Sequence, residues 1–279
     1  MPYLFSLCAA FAFGAGDFFG GLAARRAPAL GAVFVLQVTG LALLWLGAPW
    51  TVPHAPDANT LVWSLVAGLT GGIAALTLYP ALALGSASEV APLSAVIGTA
   101  LPILFGLALG ERPSASAWTG IALAVATIVL VSADGGASAS DPARRRRSLW
   151  LAAASGVFIG AFLIAFERAG ADQGLLPLIV ARSASVPLLG LVLLVRRQRP
   201  WPARVSPLPA LVSGVFDIAA NAFYLFALAR APISIVATLS NLYPAFTVLL
   251  GVLVLRDRPR PLQQLALGLA LCAIVLITR

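Results

Sequence analysis

Long apolar runs alternate with short polar breaks along the whole chain, and this pattern predicts its main elements. A helix needs about 20 mostly apolar residues to cross a membrane, and ten runs approach or exceed that length. The runs are apolar on all sides and lack the strict alternation of a transmembrane β-strand, so each predicts a helix. The predicted helices cover residues 3–22, 30–48, 61–84, 89–110, 116–132, 149–167, 175–195, 207–229, 233–255 and 262–278.

The composition supports an all-α integral membrane protein. Of the 279 residues, 60% are hydrophobic and 10% are charged, which is too little charge to cover a soluble domain of this size. All 18 basic residues are arginine, and the heavy use of Ala, Leu and Gly is typical of a GC-rich bacterial genome. We therefore expect a multi-pass protein of the bacterial inner membrane, surrounded by lipid. The net charge of +8 does not indicate a nucleic-acid partner, because the arginines cluster between apolar runs.

An internal repeat relates the two halves of the chain. A shift of 146 residues aligns 81–113 with 227–259 without a gap, and 13 of the 33 aligned positions are identical. Each copy contains five predicted spans, so the second copy must enter the membrane from the opposite side. Inverted repeats of this kind are the architecture of secondary transporters, and one chain that contains both can act as a monomer. The predicted units are a first five-helix repeat at 1–133, an arginine-rich linker loop at 134–148 and a second five-helix repeat at 149–279.

Both repeats contain the same short motif near their ends. Glu-Arg-Pro at 111–113 and Asp-Arg-Pro at 257–259 each follow a predicted helix and precede a helix that contains glycine. This pattern resembles the EamA-type repeat of the drug/metabolite transporter superfamily, and the resemblance covers essentially the whole chain. It implies a ten-helix carrier of small metabolites, often an exporter. The second copy departs from the usual glutamate at Asp257.

Charged residues within the predicted spans are the first candidates for a functional site, because one at a helix centre costs about 2.5–3.5 kcal/mol to insert. Arg182 and Asp217 lie near the middle of adjacent antiparallel helices, at depths that differ by about 7–8 Å. We predict that they pair, either to fasten the helices, to face a substrate cavity, or both. Asp17 either snorkels toward water or binds a proton or substrate. Glu89 either caps a helix or contacts substrate.

Uncharged polar groups extend this set. Tyrosine and asparagine side chains within spans are expected to point into the bundle, where they line a cavity or form hydrogen bonds between helices. The substrate-binding candidates are therefore Tyr79, Asp217, Asn221, Tyr224, Asn241, Arg182 and Asp17.

Other function classes find little support in the sequence. His54 is the only histidine, and no His/Cys cluster has metal-ligand spacing, so we predict neither a metal site nor a cofactor. No nucleophile or nucleotide-binding motif is present, which argues against an enzyme and against transport driven by ATP. The sparse polar groups favour a small amphipathic substrate, such as an amino acid, driven by its own gradient or by protons. A non-transporting scaffold or receptor is the alternative, and a membrane-embedded enzyme is a more distant one.

The arginines also predict which side of the membrane the termini face. Loops after the odd-numbered spans contain 13 arginines, whereas the opposite side contains four. The positive-inside rule then places both termini outside, although the resemblance implies both inside. A reporter that is active only in the cytoplasm, fused after Arg279, is therefore expected to be silent. A bright fusion would contradict this orientation.

Overall fold

The computed structural model describes residues 1–52, 57–85, 87–132, 141–170, 173–203, 205–256 and 260–278, and all regular structure in these ranges is helical. The helices, in chain order, are α1 Pro2–Ala24, α2 Ala29–Thr51, α3 Ala58–Leu84, α4 Ala87–Ala108, α5 Ala115–Ser132, α6 Pro142–Ala169, α7 Leu176–Val195, α8 Leu208–Leu228, α9 Ile233–Ser240, α10 Tyr243–Leu255 and α11 Pro261–Thr278.

Nine segments within the described ranges are long and apolar enough to cross a membrane, and the apolar stretch Ala115–Val131 of α5 is shorter. Together they correspond to the ten predicted runs. Large apolar side chains remain exposed on the outside of the bundle, among them Trp45, Trp50, Trp150 and Leu194. Such a surface suits lipid rather than water. The prediction of a multi-pass helical membrane protein is therefore confirmed.

The ninth predicted run is not one continuous helix. The stretch at 233–255 breaks into α9 and α10 at Asn241 and Leu242. Pro244 lies in the first turn of α10, where its missing N–H costs no helical hydrogen bond. The equivalent position in the first half is Gly98, and α4 continues through it.

Helix α6 begins seven residues before the predicted start at 149, because Asp141 accepts a hydrogen bond from the backbone N–H of Ala143 and Pro142 occupies the first turn. Residues 144–147, predicted as linker, therefore lie in α6. The Arg144 guanidinium donates to the carbonyls of Ala83 and Leu84 and ties α6 to the end of α3. Residues 133–140 lie outside the described part of the chain.

Helix α3 begins with a capping bond. The Asp57 carboxylate accepts the backbone N–H of Thr60 at 2.6 Å. Hydrogen bonds from the side chain and backbone of Thr60 hold the pKa of the Asp57 carboxyl below its ordinary value. His54, just before this cap, lies outside the described residues.

Glycine contacts repeat with the same 146-residue shift. A Cβ at Gly68 on α3 would overlap the backbone of Ala181 on α7, and a Cβ at the equivalent Gly214 on α8 would meet the carbonyl oxygen of Leu36 on α2 at 2.5 Å. Small residues at such crossings let two helix backbones approach closely inside a membrane. The two halves therefore contribute the same kind of contact on either side of the bundle.

Two pairs of equivalent helices, α5 with α11 and α2 with α7, pack against each other in antiparallel orientation, whereas α1 packs mainly on α8 and α3 mainly on α6. Gly120, early in α5, packs against Ala273 and Ile277, late in α11. In the pair α2 and α7, the Ser185 hydroxyl donates to Gln37 at 2.5 Å. The backbone N–H of Leu175, just before α7, donates to the carbonyl of Thr51, the last residue of α2, so the two helices run in opposite directions. Helix α1 also packs against α10, and α3 packs against α7.

Candidate functional site

The charged pair predicted between α7 and α8 is present. The Arg182 guanidinium donates through Nη2 to Oδ2 of Asp217. The two side chains retain 8% and 22% of their exposed surface, so the arginine is buried and the carboxylate is partly open. Two charges inside a bilayer protein are tolerated when each neutralises the other. The predicted pairing is therefore confirmed, and one edge of the Asp217 carboxylate stays accessible.

The second carboxylate oxygen of Asp217 is contacted by Asn221, which lies one turn further along the same helix. The side-chain amide of Asn221 donates to the backbone carbonyl of Asp217 at 2.8 Å and approaches Oδ1 at 3.4 Å. Two buried atoms of this group, Nε of Arg182 and Oδ1 of Asn221, have no hydrogen-bond partner among the described residues. A buried polar atom without a partner is costly unless a ligand or water satisfies it. The pair therefore has unused hydrogen-bonding capacity.

Asp17 reaches the same region from α1. Helix α1 lies against α8 at Gly16, where an added Cβ would be at ordinary contact distance, 3.6 Å, from the backbone nitrogen of Asp217. The Ser213 hydroxyl also donates to the carbonyl of Gly16 at 2.7 Å. The carboxylates of Asp17 and Asp217 influence each other electrostatically, and both influence the hydroxyl of Tyr79 on α3. Four helices thus bring together five of the predicted site residues: Asp17, Tyr79, Arg182, Asp217 and Asn221.

Asp17 also faces a cavity between α1 and α10. The cavity measures about 270 Å³ and is lined by Phe18, Gly21, Thr247 and Gly251 in addition to Asp17. The equivalent of Asp17 in the second half is Leu163, which is 4% exposed and belongs to the main core. The preceding helix crossing is equally tight in both halves, since Gly14 packs on Phe246 and Gly160 packs on Leu101, so the difference begins at Asp17 and Leu163. The two halves therefore differ at this point: one is open and the other is filled.

Two predicted site residues lie in other surroundings. Tyr224 is fully buried, its hydroxyl has no hydrogen-bond partner, and its electrostatic neighbours are Glu167 and Glu111 rather than the aspartates. Asn241, at the break between α9 and α10, donates to Thr99 of α4 at 2.9 Å. The amide of Asn241 therefore forms an interhelical hydrogen bond, which is one of the two roles that the sequence left open. Substrate contact by either residue stays a prediction.

The sequence marked Glu111 as part of a motif but did not predict what it does. Its two carboxylate oxygens accept the backbone N–H groups of Ile233 at 2.7 Å and Ser234 at 3.1 Å. An acid at a helix N-terminus satisfies free donors and complements the helix dipole. Glu111, from the first half, thus caps α9 of the second half. Asp257, its counterpart, lies outside the described residues.

Tyr243 and Glu89 complete the set of polar groups. Tyr243, at the start of α10, lies within electrostatic influence of Asp17, a neighbourhood that the sequence did not single out. Its position two residues after Asn241, a predicted site residue, was the sequence signal that could have identified Tyr243. Glu89 lies in the first turn of α4, as a cap would, and pairs with Arg145 at 2.7 Å on an exposed surface. Glu89 therefore lies apart from the Asp17 cavity.

The fold and site define a polytopic helical membrane protein made of two related halves, with a polar centre between them. The family model of the EamA-like transporter family matches residues 1–133 and again 146–279. The chain belongs to this family, and each half is one copy of its repeat. The resemblance drawn from the sequence is therefore confirmed, and a membrane transporter is the function class that the family indicates.

The fold has a close counterpart among solved structures. A crystal structure of a protein that is 20% identical in sequence superposes with a TM-score of 0.78. The match covers 99% of this chain and 96% of the other. At this identity the similarity concerns the fold alone. No curated protein is similar enough in sequence to be counted as a relative.

The Arg182–Asp217 pair predicts a specific pattern of stability. Replacement of either residue by Leu leaves a buried charge without its partner and should cost about 3–5 kcal/mol. The double variant Arg182→Leu, Asp217→Leu removes both charges, so it should lose clearly less than the sum of the single losses. Reversible unfolding of the purified protein in mixed micelles measures the cycle.

The exposed pair of Arg145 and Glu89 provides a matched control, since surface ion pairs typically contribute about 0–1 kcal/mol. The same cycle on this pair should give little coupling. Simple additivity at Arg182 and Asp217 would show that the pair does not stabilise the bundle.

Proposed function

We propose that this protein is a secondary transporter that exports a small amphipathic metabolite across the bacterial inner membrane by alternating access. The observation that carries the proposal is the difference between the two halves around a shared polar centre. The cavity at Asp17 is open in one half, whereas the equivalent position, Leu163, is buried in the other. A carrier that opens to one side at a time needs such a difference between otherwise similar halves.

The antiparallel pairing of equivalent helices supports an inverted arrangement of the two repeats. Helices related by an axis along the membrane normal would run parallel, but α5 packs against α11 and α2 against α7 with opposite directions. An axis in the membrane plane accounts for both pairs. Such an arrangement lets the halves exchange their conformations, so that a site open to one face becomes open to the other.

The open side is the side with most arginines. The cavity runs along α1 from Asp17 to Arg25 and along α10 from Thr247 to Leu255, so it leads toward the ends of these two helices. Arg25 and Arg26 follow α1 in the sequence, and Arg256 follows α10. Under the positive-inside tendency this face is cytoplasmic. An exporter would take up its substrate from this face.

The opposite face is held closed by contacts between the halves. Every residue of α9 is buried, and Glu111 from the first half caps its N-terminus. These contacts must break for the site to open on that side.

The driving force in this proposal is a gradient rather than a nucleotide. Asp17 is a carboxylate that can take up a proton, and proton coupling through it is the form of coupling that the site residues favour. No cofactor is required, and both repeats in one chain allow a monomer to complete the cycle. A non-transporting receptor or scaffold with the same fold is the alternative that a flux measurement separates.

Export predicts a specific change in the medium. Cells that contain the gene should release at least one small metabolite that cells without the gene retain, as measured by mass spectrometry of medium and cell extracts. The gene with Asp217→Asn should fail to restore release, because this change removes the negative charge that Arg182 requires. The same compound should leave proteoliposomes that contain the purified protein. If no compound is released in either assay, the receptor or scaffold alternative is favoured.

A further inference from the structure

The cavity between α1 and α10 has the properties of a ligand site. The helices run in the same direction here, since Gly14 of α1 packs against Tyr243 and Phe246 at the start of α10 while the later residues diverge. Gly21 has nothing within 4 Å of an added Cβ. The resulting space of about 270 Å³ is large enough for a small organic molecule. On the basis of the proposed function, we propose that this cavity binds an organic ammonium ion, with Asp17 as its counter-ion.

Asp17 is a free acceptor. No hydrogen bond or ion pair joins its side chain to another described residue, although it is exposed to the cavity. It does not lie on the outer face of α1, where Leu4 and Phe11 are 57% and 44% exposed. At 3.6 residues per turn, Asp17 lies roughly 120–140° and Gly21 roughly 80–100° around the helix from those two residues. The carboxylate therefore points to the cavity rather than to the lipid-facing stripe.

The charges around Asp17 leave it without a cation. Arg182 is already bound to Asp217, so the nearest buried positive charge is neutralised. Arg25 lies at the exposed mouth of the cavity just after α1, eight residues beyond Asp17, so their Cα atoms are about 12 Å apart along the helix axis. Asp217 adds a second acidic group within electrostatic influence of Asp17. The inner end of the cavity thus favours a positive ligand.

An aromatic ring in the cavity wall adds to this preference. Phe18 lines the cavity and packs edge-on against Phe19 with ring centroids 5.3 Å apart. Aromatic faces attract organic cations and are a common part of ammonium sites.

The remaining lining selects an organic cation over a metal ion. A bound Ca²⁺ requires about six to eight oxygen ligands, whereas the cavity offers side-chain oxygens from Asp17, Thr247 and Gln263. Leu22, Val248, Val252 and Leu255 supply apolar walls. A compound with one ammonium group and a hydrocarbon body matches both parts of this lining.

The repeat indicates that the acid is not required by the fold. The equivalent of Asp17 in the second half is the buried Leu163, which packs in the main hydrophobic core. The same helix position is therefore compatible with an apolar side chain. A carboxylate that the scaffold does not need is available for a ligand.

Three probes of equal shape and different charge test the inference: hexylammonium, 1-hexanol and hexanoate, titrated calorimetrically into the protein in lipid nanodiscs with empty nanodiscs subtracted. We expect hexylammonium to bind about tenfold more tightly than 1-hexanol, because charge-assisted hydrogen bonds are roughly twice as strong as neutral ones. Hexanoate should bind more weakly than both. Equal affinities of hexylammonium and 1-hexanol for the unaltered protein would overturn the inference.

Variants assign the preference to Asp17. Asp17→Asn should reduce the ammonium preference to about twofold or less, while Asp17→Glu should retain it. Glu89→Gln is the matched control, since Glu89 is an acid on the exposed surface away from the cavity. The ammonium preference of this variant should equal that of the unaltered protein. An undiminished preference in Asp17→Asn would also overturn the inference. Binding is measured without transport, so absence of flux with an intact ammonium preference would count against the proposed function and not against this site.

Discussion

The close approach of helix backbones at small residues is the constraint on which the rest of this structure depends. In lipid, the hydrophobic effect does not drive one helix against another, so packing relies on contacts that only glycine and other small residues permit. Gly68 against Ala181 and Gly214 against Leu36 are two copies of one such contact, related by the repeat. A larger side chain at either position would separate α3 from α7 or α8 from α2. The bundle would then lose the frame that holds its polar centre.

This packing also decides which charges meet. Ala181, on which Gly68 packs, directly precedes Arg182, and Gly16 packs on the backbone of Asp217. The same crossings that hold the helices together thus place the arginine, Asp217 and Asp17 at one level of the bundle. None of these charges has a charged counterpart in the other half. The scaffold is therefore nearly symmetric, whereas the chemistry that it positions belongs to particular helices.

Much of this arrangement could be predicted from the sequence, because long apolar runs and a constant 146-residue shift leave few alternatives for the fold. The pairing of Arg182 with Asp217 followed from helix depth alone. The sequence did not reveal the start of α6 at Pro142, since four arginines look like a loop until Arg144 is seen to bind the carbonyls that end α3. The cap of Glu111 on α9 and the separate surroundings of Tyr224 depend on contacts between distant segments, and no local pattern encodes them.

The proposed alternating access is tested most directly by measuring which residues a thiol reagent reaches from each face of the membrane. In a protein without Cys8 and Cys272, single cysteines at Gly21, in the cavity, and at Ser234, beneath the Glu111 cap, report on opposite faces. An impermeant thiol reagent should reach position 21 only from the arginine-rich side and position 234 only from the other side. Addition of the exported compound should change the two rates in opposite directions. Reaction of both positions from one side, or parallel changes in both rates, would contradict alternating access between the two halves.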